Sequence, residues 1–300
     1  MAECSIKVRN GYIDVWRLVA SFVIVFFHSW RLDGVDNYPY MGGKIFVEFF
    51  FFVTGYYTIY HLKSNPNMTI RDILLYTYRK YCNFWSCSVP FTVILLLIRY
   101  IFFHKKNGIL RDIVAMTFLI KGENIDQLWY LTALLPIIPL IMYVLSRTKT
   151  VIHVIISFFV FCFYYFILQF YPSHFPVFYC RAVAGMAGGI MVYYTSVFFK
   201  RYTNSSVAIG FGNIALIISL IMGYINILDF RLAVTLFVLG LSFILASEKQ
   251  TNNYILQRIA YCGEKYSFPV YVVHMSIVRL IAFLSKNVFH LDVKIQYFFI

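Results

Sequence analysis

Apolar runs about as long as a bilayer is thick recur along the whole chain, and no other feature limits its fold so strongly. A hydrophobic stretch of about 18 or more residues is a candidate membrane-spanning helix. About nine such runs, some of them interrupted, can be read by that rule. They are Ile13–Trp30, Ile45–Tyr60, Cys82–Phe103, Leu128–Leu145, Val151–Tyr171, Phe178–Phe199, Val207–Ile227, Leu232–Ser247 and Phe268–Phe289. A last apolar stretch, Ile295–Ile300, begins a tenth. Hydrophobic residues make up 61% of the 300 and charged residues 13%, against about 45–50% and about 25% in ordinary globular chains. A soluble core of this size does not hide so much apolar surface, and disorder requires the opposite composition. The expected fold is all-α: a polytopic transmembrane helical bundle of about nine spans and the start of a tenth, one membrane domain over residues 1–300 with no soluble partner domain.

The net charge is +13, but the Lys and Arg residues fall mostly in short stretches between apolar runs. There they set topology and meet anionic headgroups. No basic block with interleaved aromatics stands apart from the runs, so nucleic acid is not an expected partner; membrane lipid is. The short loops around Arg147 and Lys149 and around Lys200 and Arg201 are purely basic. The positive-inside rule puts them, and the N-terminus, on the cytoplasmic side of a multi-pass protein of the cell membrane, of the bacterial plasma-membrane kind. Asp14 and Arg17 lie inside the first run and no small-residue cleavage site follows it, so it reads as a retained helix. The six cysteines show no C-x-x-C pair and no zinc spacing, so neither a metal site nor a disulfide framework is expected.

Ionisable residues within spans are functional candidates, because a charge at the bilayer centre costs at least about 2.5–3.5 kcal/mol. The first run holds several. Asp14 and Arg17 are i, i+3 neighbours. Arg17 and His28 are eleven apart, only about 20° past three full turns, and Ser21 shares the stripe. Asp14, Arg17, Ser21 and His28 thus form one polar line on an apolar helix, with His28 near the outer mouth. Glu48 opens the second run at the same expected depth, where it would orient the His28 ring and raise its basicity. The alternative is a polar stripe that serves packing alone, with Glu48 facing outer water.

Tyr12-Ile13-Asp14-Val15-Trp16-Arg17-Leu18-Val19-Ala20 followed by His28 resembles the opening of the acyltransferase 3 family of integral membrane acyltransferases. Its Arg, ten residues, His pattern is met by Arg17 and His28. Val47–Tyr57 is similar to the family's second-helix motif of an acid, a Phe run and Ser-Gly-Phe, with Thr54 for the Ser and Tyr56 for the Phe. Arg79-Lys80-Tyr81-Cys82-Asn83-Phe84-Trp85 resembles Arg-x-Tyr-Pro-x-Tyr-Trp, with Cys82 for the Pro and Tyr76 where an earlier Arg is common. Leu128-Trp129-Tyr130-Leu131 resembles Leu-Trp-[Phe/Tyr]-Leu, with Gln127 where a His often stands. Tyr266–His274 is similar to the family's late Tyr-Ser-Tyr-x-x-Tyr-x-x-His.

The resemblance implies transfer of an acyl group, usually acetyl, from acyl-coenzyme A at the inner face to a hydroxyl of a cell-surface glycan or related acceptor. Acetyl-coenzyme A would be a co-substrate, with no bound cofactor. Arg71, Arg79 and Lys80 suit the donor phosphates, and His274 is a further donor-side candidate. The transfer needs a base and an oxyanion donor. His28 is the candidate base, Glu48 its orienter, and Arg17 either holds a donor group or pairs with Asp14. Trp129, Tyr130 and the Tyr38–Tyr40 loop suit stacking on a sugar, or else a headgroup belt. Ser21 is the only hydroxyl on the stripe. Two other readings stay open: a transporter or lipid-linked glycan flippase, and an inactive scaffold.

Overall fold

The computed structural model describes residues 10–29, 42–103, 109–119, 129–168, 177–225, 230–247 and 253–287. Ten α-helices make up nearly all of it: α1 (Gly11–Ser29), α2 (Gly42–Ser64), α3 (Ile70–Phe103), α4 (Ile109–Thr117), α5 (Trp129–Arg147), α6 (Thr150–Cys162), α7 (Val177–Lys200), α8 (Ser205–Ile225), α9 (Phe230–Ala246) and α10 (Tyr254–Asn287). A π-helical turn, Phe163–Ile167, continues α6. There is no strand among the described residues. Tyr38–Tyr40 and Ile295–Ile300 lie outside them.

Side chains from the polar loops fix where several helices begin. The Asn10 side-chain oxygen accepts from the Tyr12 amide at 3.1 Å and opens α1. Asn204 does the same for Ser206 at 3.0 Å and opens α8. Asn253 accepts from the Ile255 amide at 2.8 Å and opens α10. Thr69 and Asp72 form a reciprocal pair at the start of α3: the Thr69 amide donates to Asp72 at 2.9 Å, and the Asp72 amide to the Thr69 hydroxyl at 3.3 Å. Such caps satisfy amides that the first helical turn leaves without partners.

These caps account for a difference from the sequence reading. The apolar runs Cys82–Phe103 and Phe268–Phe289 are preceded by the polar stretches 61–81 and 248–267, and these hold the first turns of α3 and α10. Each of these helices runs 34 residues, about 51 Å at 1.5 Å per residue. The stretch 104–127 likewise contains α4. The count of about nine spans is not confirmed. Among the described residues, six helical segments are long and apolar enough to cross a membrane: Gly11–His28, Ile45–Ser64, Trp129–Arg147, Thr150–Ile167, Phe178–Lys200 and Ser205–Met222. Helix α9 is apolar but has only 17 residues. The low overall hydropathy of α3 and α10 reflects the polar turns that precede their apolar halves.

Two close helix seams position the polar residues. Along α1 and α10, a Cβ on Gly263 would overlap the Asp14 carbonyl oxygen, so only glycine lets the two backbones approach this far. The Ser21 hydroxyl lies 2.8 Å from the Ser267 carbonyl and fixes the register. Along α2 and α7, a Cβ on Gly189 would overlap the Phe52 carbonyl oxygen. Small residues at such crossings are the usual means of close packing between helices in a membrane. At the beginning of α1, the Trp16 indole donates to Asn213 of α8 at 2.8 Å and the Asn10 amide to the Ile244 carbonyl of α9 at 2.8 Å. The core between the seams is aromatic, with Phe46, Phe49 and Phe52 all within ring contact of Phe237.

Candidate active site

The register of α1 on α10 brings two histidines together. Ser21 faces Ser267, and seven residues further along both helices His28 faces His274, ring centroids 4.9 Å apart. The two helices therefore run parallel. His274 is buried, and its Nδ1 donates to the Tyr271 carbonyl one turn back. A carbonyl only accepts, so the proton sits on Nδ1 and a neutral His274 keeps its lone pair on Nε2. Phe27 packs edge-on against His28 at 5.0 Å.

The rest of the α1 stripe is occupied locally. Asp14 is buried and binds the Arg17 guanidinium at 3.1 Å. That guanidinium lies 5.8 Å over the Tyr57 ring of α2. Of the two roles the sequence left open for Arg17, the pairing with Asp14 is the one seen in this structure. Ser21 is buried and lies 2.9 Å from the Arg17 carbonyl as well as near Ser267. Arg17 and His28 remain about 16 Å apart along the helix axis.

The sequence reading expected Glu48 to orient His28, but Glu48 pairs elsewhere. Its carboxylate, 1% exposed, accepts from the Arg181 Nε of α7 and from the Tyr165 hydroxyl of the π-helical turn. The physical reason is rotational. Phe50 packs on Tyr271 at 5.6 Å and so brings the start of α2 to the depth of His274. Glu48, two residues earlier, is rotated by about 200° around α2 and faces α7. Arg181 is not among the residues that the sequence singles out. A clue lay in its place just inside the sixth apolar run, where a cation needs a partner.

Trp129 and Tyr130 join this second cluster. Arg181 lies 5.2 Å over the Trp129 ring, so that face of Trp129 is taken by a guanidinium. Tyr130 is buried against Phe51 at 4.5 Å and Tyr271 at 5.6 Å, with its hydroxyl 3.4 Å from Thr54. Tyr130 and Tyr271 thus stand between the histidine pair and the Glu48 cluster.

Arg71, Arg79 and Lys80 are not part of this assembly. Arg71 and Arg79 are exposed, and Lys80 lies 5.6 Å over the Tyr76 ring. All three precede Phe84, whose ring meets Phe268 of α10 at 4.8 Å. They therefore lie toward the end of the bundle where α1 begins, several turns from His28. Another histidine, His153, is structural: Nδ1 meets the Tyr194 hydroxyl at 2.8 Å, and Nε2 meets the Leu145 and Thr148 carbonyls at 2.9 and 3.0 Å. It clamps the turn between α5 and α6. Among the described residues no group of three or more His, Cys, Asp or Glu is placed to hold a metal ion.

A family model described as an acyltransferase domain matches residues 10–298. The chain belongs to the acyltransferase 3 family. No curated protein and no solved structure matches it. As a member of this family it is an integral membrane protein with an acyltransferase domain, and both histidines of the α1–α10 seam lie within the matched region.

Proposed function

We propose that the chain moves an acyl group, acetyl in the first instance, from acyl-coenzyme A to a hydroxyl of a cell-surface glycan, with His28 as the base and His274 as its partner. The observation that carries this reading is the imidazole pair held in register by Ser21 and Gly263 inside an acyltransferase domain. In the step, the acceptor oxygen attacks the thioester carbonyl. Its proton passes to His28, the new C–O bond forms, the C–S bond breaks, and the proton goes on to the departing thiolate to give free coenzyme A. An imidazole is suited to both halves of this transfer near neutral pH.

His274 takes the place that Glu48 was expected to fill. With its Nδ1 held by the Tyr271 carbonyl, it presents a fixed ring to His28. The donor would lie extended along the bundle, its phosphates at Arg79, Lys80 and Arg71 and its thioester at His28. The N-terminus and the coenzyme A site then share the cytoplasmic side of the cell membrane, and the acceptor enters from the other side. Arg17, midway, would line the path of the donor arm.

The test is release of coenzyme A thiol from acetyl-coenzyme A by the purified protein in lipid nanodiscs, with and without de-O-acylated surface polysaccharide. Thioester cleavage that the polysaccharide stimulates, with acetyl ester appearing on the glycan, supports the reading. A protein that never cleaves the thioester is a flippase or a scaffold.

A further inference from the structure

The exposed side of α10 carries a pattern that the proposed reaction does not use. Two tyrosines are each followed four residues later by a cation, Tyr254 by Arg258 and Tyr261 by Lys265. Residues four apart share a helix face, and all four fall within about 60° around α10 at 100° per residue. The cations fold back onto the tyrosines. The Arg258 guanidinium lies 5.1 Å over the Tyr254 ring, and its Nε donates to the Tyr254 hydroxyl at 2.9 Å. The Lys265 ammonium lies 5.7 Å over Tyr261 and 5.5 Å over Tyr266, with the Tyr261 hydroxyl 3.5 Å away. Among the described residues no carboxylate pairs with either cation. Glu264, the one acid of α10, stands about 100° around the helix from Lys265. Helix α3 leaves the stripe open. Phe268, near the same face, meets Phe84 of α3 at 4.8 Å, but Tyr254 is 65% exposed, Tyr261 is 54% exposed and both cations are exposed.

The depth of the stripe decides what meets it. In the register of Ser21 on Ser267, Gln257 stands level with Gly11, where the apolar span of α1 begins. The stripe therefore crosses the membrane boundary at that end of the bundle. Arg258 lies at the boundary, and Lys265 lies about 10 Å further in at 1.5 Å per residue. A cation beside an apolar span needs a partner, and lysine near a helix end reaches back toward the headgroups. Lys265 turns that way, toward Tyr261. Beside the stripe, about 100° around the helix, runs an uncharged line of Ile255, Ile259, Cys262 and Tyr266, with Ile255 and Tyr266 exposed. We propose that this face of α10 binds an anionic phospholipid, with Arg258 and Lys265 flanking its phosphate, Tyr261 between them and an acyl chain along the uncharged line. A soluble phosphate would use the cations and leave the apolar line bare. A zwitterionic lipid would use the line and bring no net charge to the cations. Such binding does not depend on the acyl transfer proposed above.

Native mass spectrometry of the whole protein, titrated in detergent with phosphatidylglycerol or phosphatidylcholine of the same chains, tests this. For the first lipid bound, phosphatidylglycerol is expected to bind about tenfold or more tightly, since each cation near an anionic headgroup adds about fivefold. Arg258→Gln/Lys265→Gln is expected to bring the two lipids within about twofold of each other, whereas Lys200→Gln/Arg201→Gln, after α7, keeps the preference. Glycerophosphoglycerol, the headgroup without chains, is expected not to displace the lipid at equal concentration. The substituted side chains of α10 are exposed, and the melting temperature in phosphatidylcholine checks that the variant folds. Where the double variant does not fold, Arg258→Gln and Lys265→Gln alone are each expected to lose about fivefold in phosphatidylglycerol affinity. Equal affinity for the two lipids in the intact protein, a preference that survives in the α10 variants, or displacement by the headgroup alone overturns the proposal.

Discussion

Two seams, each closed by a glycine, carry polar groups to one depth of the bundle. Helix α1 on α10 delivers two imidazoles, and α2 on α7 delivers a carboxylate and a guanidinium, to which the π-helical turn adds a phenol. The construction is alike and the chemistry is opposite. Imidazoles exchange protons near neutral pH, so the first seam can take a proton and give it back. A carboxylate locked to a guanidinium has no such freedom, since a change of charge on either partner leaves the other buried alone. On the function proposed above, the first seam holds the reaction, whereas the second is a fixed charge pair that sets geometry. Residues that share a depth do not thereby share a task.

The largest expected effect breaks the second seam. Glu48→Ala leaves Arg181 without its carboxylate and is expected to destabilise the protein by about 3–5 kcal/mol, as removal of one partner from a buried pair does. Thermal unfolding in detergent checks it, and a melting temperature equal to that of the unaltered chain would show that the pair is not buried in the membrane-embedded protein. The first seam is more tolerant. Gly263→Leu drives a side chain into the Asp14 carbonyl and is expected to cost about 1–3 kcal/mol through overpacking. It is also expected to lower turnover, because the register that sets His28 against His274 shifts. Stability that falls with turnover per folded molecule unchanged would separate the seam from the chemistry.

A smaller effect is expected at His274. Truncation to Ala removes the partner ring but not the base, so turnover is expected to fall about tenfold, the factor that about 1.4 kcal/mol supplies. His274→Asn keeps a donor toward the Tyr271 carbonyl but no second ring nitrogen. If both variants keep full turnover, His274 only packs. The smallest effect belongs to Asp72, on the exposed first turn of α3. Hydrogen bonds from the Thr69 hydroxyl and amide, with Arg71 nearby, hold its carboxyl below the ordinary value of 3.8. A lowered native value means that the capping contribution is present above the ordinary value and is lost as pH falls through the native one. Asp72→Ala is expected to lower helicity slightly at neutral pH, with the difference from the parent chain vanishing in strong acid. Circular dichroism as a function of pH tests this, and a difference that grows toward low pH would contradict the cap.

Much of the first seam is legible in the sequence, and little of the second is. The Arg17–His28 stripe follows from helical periodicity alone. The starts of α3 and α10 were hidden because polar turns before an apolar run read as loop, although Thr69 with Asp72, and Asn253, mark caps. The pairing of Glu48 was not legible. Periodicity gives a residue's angle on its own helix, but which neighbour that angle faces depends on packing that only the fold supplies. Arg181 was missed for the same reason: its partner lies 133 residues away. The span count of nine came from hydropathy alone, and α9 at 17 residues shows how close such runs lie to the limit.

The most direct test of His28 as the base is single-turnover acetyl transfer by His28→Ala in lipid nanodiscs. Protein folding is checked by its melting temperature and donor binding by titration. The expected result is a folded variant that still binds acetyl-coenzyme A but transfers acetyl groups about 10²–10⁴-fold more slowly, the usual loss on removing a general base. Transfer at the rate of the unaltered protein would contradict it and leave the imidazole pair a packing feature of the α1–α10 seam.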